Sequence, residues 1–197
     1  MVDLSSVQNA AILKGLDSSQ LGQLAAIASE LDTREGERLF TRGQKAETFF
    51  IAKRGRFALT LPLRVLGGET DMAVEEKGAL DAFGWSSLVE PHESIYSAFC
   101  TFDGTVFAFS GSELRQLMRA DDALGRRLST NLNALVAARV RAAQDLWIDE
   151  VEHSIARVNH WTQNEMSNRL HSAVKQQSTA GDGWRHRTRG AAPADRH

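Results

Sequence analysis

No glycine or proline occurs between Arg126 and Ala180, whereas the chain before it is punctuated by glycines at 36, 43, 55, 67 and 68. That contrast constrains the fold more than any other feature. Gly and Pro are the two residues that strongly break helical geometry, so an uninterrupted stretch of this length reads as helix. It opens at Ala120-Asp-Asp122, and Leu124, Leu128, Leu132, Leu135 and Leu146 line one side with alanines between them. Trp147, Val151, Ile155 and Val158 extend the stripe, which drifts and weakens beyond Val158. A helix this long, projecting from a β domain, is expected to bury its apolar side against a second copy of the chain. The alternative is a helix that folds back on its own domain.

The glycine-punctuated half carries short aromatic or β-branched runs. Strands are predicted around Leu39-Phe40, Phe49 to Lys53, Phe57 to Leu61, Met72 to Glu75, Ile95 to Thr101 and Thr105 to Phe109. Strands at such spacing suggest a sandwich or barrel. Gly67-Gly68 is a hairpin signal, and Pro62 marks an edge or a bulge. Upstream, residues 4–14 are weakly helical. Asp17-Ser-Ser-Gln20 has the form of a capping box, followed at helical spacing by Leu21, Leu24, Ala25, Ile27, Ala28 and Leu31. Ser110-Gly-Ser-Glu113 repeats that form and opens a short helix through Leu114, Leu117 and Met118. After Gln177 the composition turns to Gly, Ala and Arg, which predicts disorder. The expected organisation is therefore N-terminal helices over 1–30, a β-barrel with a short helix over 31–120, a long helix and its extension over 121–177, and a disordered tail over 178–197.

Composition excludes several classes. A net charge of −2 gives no global pull toward nucleic acid or an anionic membrane. The single cysteine, Cys100, rules out an internal disulfide and sits in a predicted strand, so a buried inert thiol in a reducing compartment is expected. The N-terminus has no basic region and no long apolar run follows, so neither a signal peptide nor a membrane-spanning helix is expected, and the cytoplasm is the expected location. No Gly-x-Ser-x-Gly, Walker loop or zinc-type Cys/His set is present, and an enzyme is not expected. Asp149, His153 and His160 share a helical face, but no further ligand completes a metal site. Neither metal nor cofactor is expected.

Asp81 to Ala98 is the stretch with chemical content. It reads as a Gly-containing turn into a short helix, then a loop and a strand. That is the layout of a phosphate cradle, in which a helix N-terminus offers unpaired backbone N–H groups to an anion. The candidate pocket residues are Phe83, Gly84, Trp85, Ser86, Ser87, Leu88, His92 and Ser94.

Several motifs here agree with one family. Gly36-Glu37-Arg-Leu39-Phe40-Thr-Arg-Gly43, then Glu47-Thr-Phe49-Phe50-Ile51 and Gly55, resembles the front half of the cyclic nucleotide-binding domain of the catabolite activator and oxygen-sensing regulators. Gly78-Ala-Leu-Asp-Ala-Phe83-Gly84 resembles the lead-in to that family's phosphate-binding cassette. The resemblance covers roughly Leu13 to Trp147 and implies an α+β fold. Its core would be an eight-stranded, jelly-roll-like antiparallel barrel, flanked by helices and followed by a long dimerisation helix. It also implies a Glu after the Phe-Gly pair to hold the ribose, and further on an Arg to neutralise the cyclic phosphate. This chain has Trp85 at the first place, and no Arg or Lys anywhere from Pro91 to Ala98, where Glu93 stands instead. Ordinary recognition of cyclic AMP or cyclic GMP is therefore expected to be lost. Trp85 would either fill the pocket or line it for a different, more apolar small ligand, with Ser86 and Ser87 as remaining hydrogen-bond donors.

The family's DNA-binding part is expected to be missing as well. Trp161-Thr-Gln163-Asn-Glu165 resembles the opening of a helix-turn-helix, yet no recognition helix or wing follows. Three readings stay open: a dimeric sensor module, a transcription regulator with a truncated or atypical DNA-binding part, and a scaffold acting through its long helix. A homodimer is the expected assembly. Nucleic acid and membrane are not expected partners, and the sequence leaves room for an unidentified protein partner.

Overall fold

The computed structural model describes residues 2–65 and 67–185, with side chains described except at 65 and from 158 onward. The chain divides into two compact units, Met1–Arg139 and Val140–His197.

The first unit begins with two 3₁₀ turns, Ser5–Val7 and Ala11–Leu13, and helix α1 (Ser18–Ile27). Six strands follow: β1 (Ala28–Thr33), β2 (Arg38–Phe40), β3 (Thr48–Val65), β4 (Gly68–Lys77), β5 (Ala82–Phe83) and β6 (Ser97–Ser110). Helix α2 (Gly111–Ala120) and the start of α3 (Asp122–Arg185) close the unit. The strand order is β1-β6-β3-β4, with β2 also on β6 and β5 also on β3, and every ladder is antiparallel. β1 and β4 end that order without pairing to each other among the described residues. The sheet is thus antiparallel with flanking helices, as expected, but it is open, with six strands in place of a closed eight-stranded barrel.

Two long strands account for part of the difference. β3 and β6 each run through what the sequence reads as two separate strands. They do so because Gly55 and Gly104 face each other at the bend: a Cβ on Gly55 would lie 2.5 Å from the Gly104 Cα. The ladder slips register at this point, between Ala52 and Phe57, so one strand bends where two would otherwise be needed. β1 is a second departure. The apolar pattern through Leu31 predicts helix, yet α1 stops at Ile27 and Ala28–Thr33 pairs with β6 from Phe109 back to Gly104. Leu31 is 45% exposed, so its place in the stripe reflects no burial. Tertiary pairing overrides a weak local preference. The Gly67-Gly68 hairpin is present, with Val65 opposite Gly68. Pro62 lies beyond Thr60, the last β3 residue paired to β6, where β3 keeps only β4 as a neighbour, with Pro62 opposite Asp71.

Strand alternation sorts the core into two clusters. Phe49, Ile51, Phe107 and Phe109 face the helices, where they meet Ile12, Leu24, Leu114, Leu124, Leu128 and Leu132. Phe50, Ala52, Phe57, Phe83 and Cys100 face the other side of the sheet. There the rings of Phe40, Phe50, Phe83 and Phe57 pack in series, with centroids 6.0, 5.2 and 5.3 Å apart. The Cys100 thiol is buried, as expected, and donates to the Phe102 carbonyl at 3.0 Å.

Caps and cross-links fix the helices. Asp17 accepts from the Gln20 N–H at 2.9 Å while Gln20 Oε1 accepts from the Asp17 N–H at 3.1 Å, a complete capping box. At α2 one half of the box is present, with Ser110 Oγ accepting from the Glu113 N–H at 3.5 Å. Asp121 caps α3 by accepting from the Ala123 and Leu124 N–H groups, each at 3.0 Å. The amide of Asn131 donates to the carbonyls of Ile12 and Lys14 at 2.8 and 2.9 Å, tying α3 to the N-terminal turns.

That tie corrects the expected dimer stripe. Leu124, Leu128 and Leu132 are 0%, 4% and 7% exposed and belong to the chain's own core, with Leu135 packed half-buried at its edge. Of the five leucines assigned to a partner, only Leu146 lies open. An apolar stripe has no mark saying which surface will cover it.

In the second unit the helix continues through Arg185. It passes Gln177, where the composition changes and disorder was expected; Pro193 is the first proline after Pro91, so no earlier residue lacks a helical N–H donor. The remainder of the expected tail, 186–197, lies outside the described residues. No described helix is long and apolar enough to cross a membrane.

Candidate functional site

The site grows from the turn that follows β5. Gly84 adopts φ +76°, and a Cβ there would sit 2.6 Å from the Thr48 carbonyl oxygen. The glycine is required because the turn presses against β3, a reason the sequence alone ascribes to a phosphate. The expected helix is a single 3₁₀ turn, Trp85–Ser87, closed by the Ser87 N–H donating to the Gly84 carbonyl at 3.1 Å. Ser87 is fully buried and its hydroxyl also donates to the Gly84 carbonyl, at 2.8 Å. Its own carbonyl accepts from Arg115. Those bonds commit Ser87 to the fold.

A cavity of about 230 Å³ opens between this turn, the Gln44–Phe50 segment and the loop before β6. Of the eight candidate residues, four line it: Gly84, Trp85, Ser86 and Ser94. Phe83 is buried in the aromatic stack beneath, and Leu88 packs on the helix-side cluster. His92 stays outside the wall. It adopts φ +60° and its carbonyl accepts from the Ala46 N–H at 2.7 Å, so its backbone holds the loop in place. Its Nδ1 is buried without a partner among the described residues.

Trp85 both packs against the helix-side cluster and forms part of the cavity wall. The phenylalanine stack fills the sheet interior beside it. Wall residues that the sequence did not single out include Phe40, Gln44, Lys45, Glu47, Thr48 and Tyr96. One signal was available for part of them. Period-two alternation places Thr48 on the same side as Phe50. The antiparallel bridge between Lys45 and Glu93, which draws the two loops together, has no local signature.

The electrostatics are sparse. Lys45 and Glu47 are the only charged residues of the wall, and they pair with each other at 3.1 Å while 79% and 69% exposed. Ser86 and Ser94 are 8% and 4% exposed, and both line the cavity. Tyr96, the only tyrosine of the chain, has a second neighbour: the Arg139 guanidinium of α3 lies 5.0 Å from its ring centroid. Arg139 also forms an ion pair with Glu75 on β4, which Lys77 joins at 2.8 Å. All three side chains are at most a quarter exposed. Elsewhere, the His153 ring meets the Asp149 backbone carbonyl at 2.7 Å and not its carboxylate. No group of metal ligands occurs among the described residues.

Comparison with known proteins agrees with this geometry. Residues 30–121 match the family model of the cyclic nucleotide-binding domain. A Geobacter metallireducens GS-15 protein named for cyclic nucleotide binding is 26% identical, with a TM-score of 0.61 over 71% of this chain and 99% of that one. The catabolite activator protein of Thermus thermophilus is 22% identical, TM-score 0.58, over 72% and 63% of the two chains. The sensor domain of the Pseudomonas aeruginosa transcriptional regulator DNR is 17% identical, TM-score 0.54, over 70% and 92%. The last two establish likeness of fold alone. The sequence expected to open a helix-turn-helix, 161–170, lies within the continuous helix α3, and no DNA-binding domain is evident among the described residues. Residues 30–121 thus resemble a cyclic nucleotide-binding domain in sequence, and the chain shares the fold of solved cyclic nucleotide-binding proteins.

Proposed function

We propose that the chain is a non-enzymatic, homodimeric sensor module whose cavity does not take cyclic AMP or cyclic GMP in the manner usual for that domain family. The charge of the cavity wall carries this reading. Its one cation and one anion, Lys45 and Glu47, neutralise each other at the surface. A cyclic phosphate moved out of water needs a charge-assisted partner, and an unpaired one is strongly disfavoured. Trp85 stands where the family's ribose-binding Glu would fall and has no acceptor to offer. Calorimetric titration tests this. No saturable binding of either nucleotide is expected below about 1 mM, the equivalent of roughly 4 kcal/mol. A micromolar Kd would overturn the reading.

Tyr96 supplies a route for the signal. It borders the cavity on one side and carries Arg139 of α3 on the other. A ligand that moves the phenol ring would alter the Arg139–Glu75 contact and bias the helix, which is the differential contact that any ligand-driven shift requires.

The second copy is expected to cover the part of α3 that the chain leaves open. Val140, Leu146, Trp147, Ile148 and Ile155 are each about half or more exposed, a density of apolar surface unusual on a monomeric helix. Trp147→Glu combined with Ile155→Glu is expected to convert a sedimenting dimer into a folded monomer. A wild-type chain that sediments as a monomer at high micromolar concentration would remove the dimer from the reading. The module is assigned to the cytoplasm, where a lone thiol such as Cys100 persists in reduced form.

A further inference from the structure

We propose that the cavity beside Trp85 binds a compact, uncharged, fused-bicyclic aromatic molecule with hydrogen-bonding ring heteroatoms. The proposal rests on the reading that the cavity has given up cyclic mononucleotides, and it names the chemical class that the remaining wall fits.

Size sets the first limit. The cavity holds about 230 Å³. An apolar cavity of about 150 Å³ accepts one benzene ring, and sites for drug-sized ligands begin near 300 Å³. The space therefore suits one ring and a half. The walls set the second limit. Phe40, Phe50, Trp85 and Tyr96 all line the cavity, and a flat ring gains offset-stacked or edge-on contacts against such aromatic side chains.

Polarity sets the third. Ser86 comes from the turn after β5 and Ser94 from the loop before β6, so the two hydroxyls reach the cavity from separate elements. Each residue is more than nine-tenths buried and lines the cavity. Each hydroxyl can donate or accept a hydrogen bond. A ring that carries one N–H and one bare nitrogen can pair with both. The wall favours an uncharged ligand, because its only two charged side chains, Lys45 and Glu47, pair with each other at the surface.

Three bicycles of nearly equal size test the idea on the full chain: naphthalene with no heteroatom, indole with a donor, and benzimidazole with a donor and an acceptor. Titration followed by NMR and calorimetry is expected to give saturable binding in the order benzimidazole, indole, naphthalene. Each added hydrogen bond should be worth about fivefold in Kd. Ser94→Val removes a hydroxyl and fills part of the cavity, and it should weaken benzimidazole about tenfold while shrinking its advantage over naphthalene. Trp85→Ala should weaken all three, and Ser94→Val provides the readout if that variant does not fold. Failure of all three bicycles to saturate overturns the proposal and leaves the loss of cyclic nucleotide binding standing. Equal affinity for the three overturns the role of the serines. Cyclic AMP binding more tightly than benzimidazole overturns both the proposal and the reading beneath it.

Discussion

Leu124→Asp is expected to abolish the cooperative unfolding transition of the chain at 25 °C, while Trp147→Asp leaves a folded chain that still unfolds cooperatively. Both positions lie on α3 and both look alike in the apolar stripe. Leu124 is fully buried against the N-terminal turns, α1 and the helix-facing side of β3 and β6, whereas Trp147 is 69% exposed. Truncating a buried leucine alone costs about 2–5 kcal/mol. Aspartate adds an unpaired carboxylate in that place, at a cost of several more kcal/mol. A domain of this kind holds only about 5–15 kcal/mol in total. Urea unfolding followed by far-ultraviolet circular dichroism reads the difference directly. A Leu124→Asp chain that unfolds at the wild-type midpoint would mean that the start of α3 does not belong to the core.

The same pair of residues shows where sequence reasoning stops. A stripe at helical spacing establishes that something will cover it, and the stripe of α3 was legible. What covers it depends on where the N-terminal turns arrive, and Asn131 reaching Ile12 and Lys14 is a contact across more than a hundred residues. Local chemistry was legible in detail. The Asp17–Gln20 box, the Gly67-Gly68 hairpin and the buried thiol of Cys100 follow from residues within one turn or one strand. The α1–β1 boundary was not legible, because Leu31 continues the helical spacing while its backbone pairs with Val106. The cavity was half legible. Gly84, Trp85, Ser86 and Ser94 belong to one contiguous stretch, whereas Gln44, Lys45 and Thr48 arrive through the antiparallel bridge between Lys45 and Glu93. Register between distant loops leaves no trace in local periodicity.

Gly84→Ala is expected to destabilise the chain by about 2–4 kcal/mol, well beyond the effect of Gly36→Ala. Both glycines have left-handed backbone, at φ +76° and +82°. An alanine at either pays about 1–2 kcal/mol for that conformation. At Gly36 nothing lies within 4 Å of an added Cβ, so this is the whole cost. At Gly84 the Cβ would stand 2.6 Å from the Thr48 carbonyl oxygen and 3.2 Å from Phe50 Cδ2. Neither neighbour can retreat easily. Thr48 is paired to Ser110 in the β3–β6 ladder, and the Phe50 ring is stacked on Phe83 at 5.2 Å. The turn would have to move away from β3 instead, carrying Trp85 and Ser86 out of the cavity wall. Urea midpoints at unchanged m-value separate the steric cost from the conformational one. Benzimidazole titration of Gly84→Ala would then show whether the moved wall still binds. Equal midpoint shifts for Gly36→Ala and Gly84→Ala would mean that the turn does not press on β3. In that case the glycine after Phe83 would need another explanation, and an anion approaching its backbone would again be the first to test.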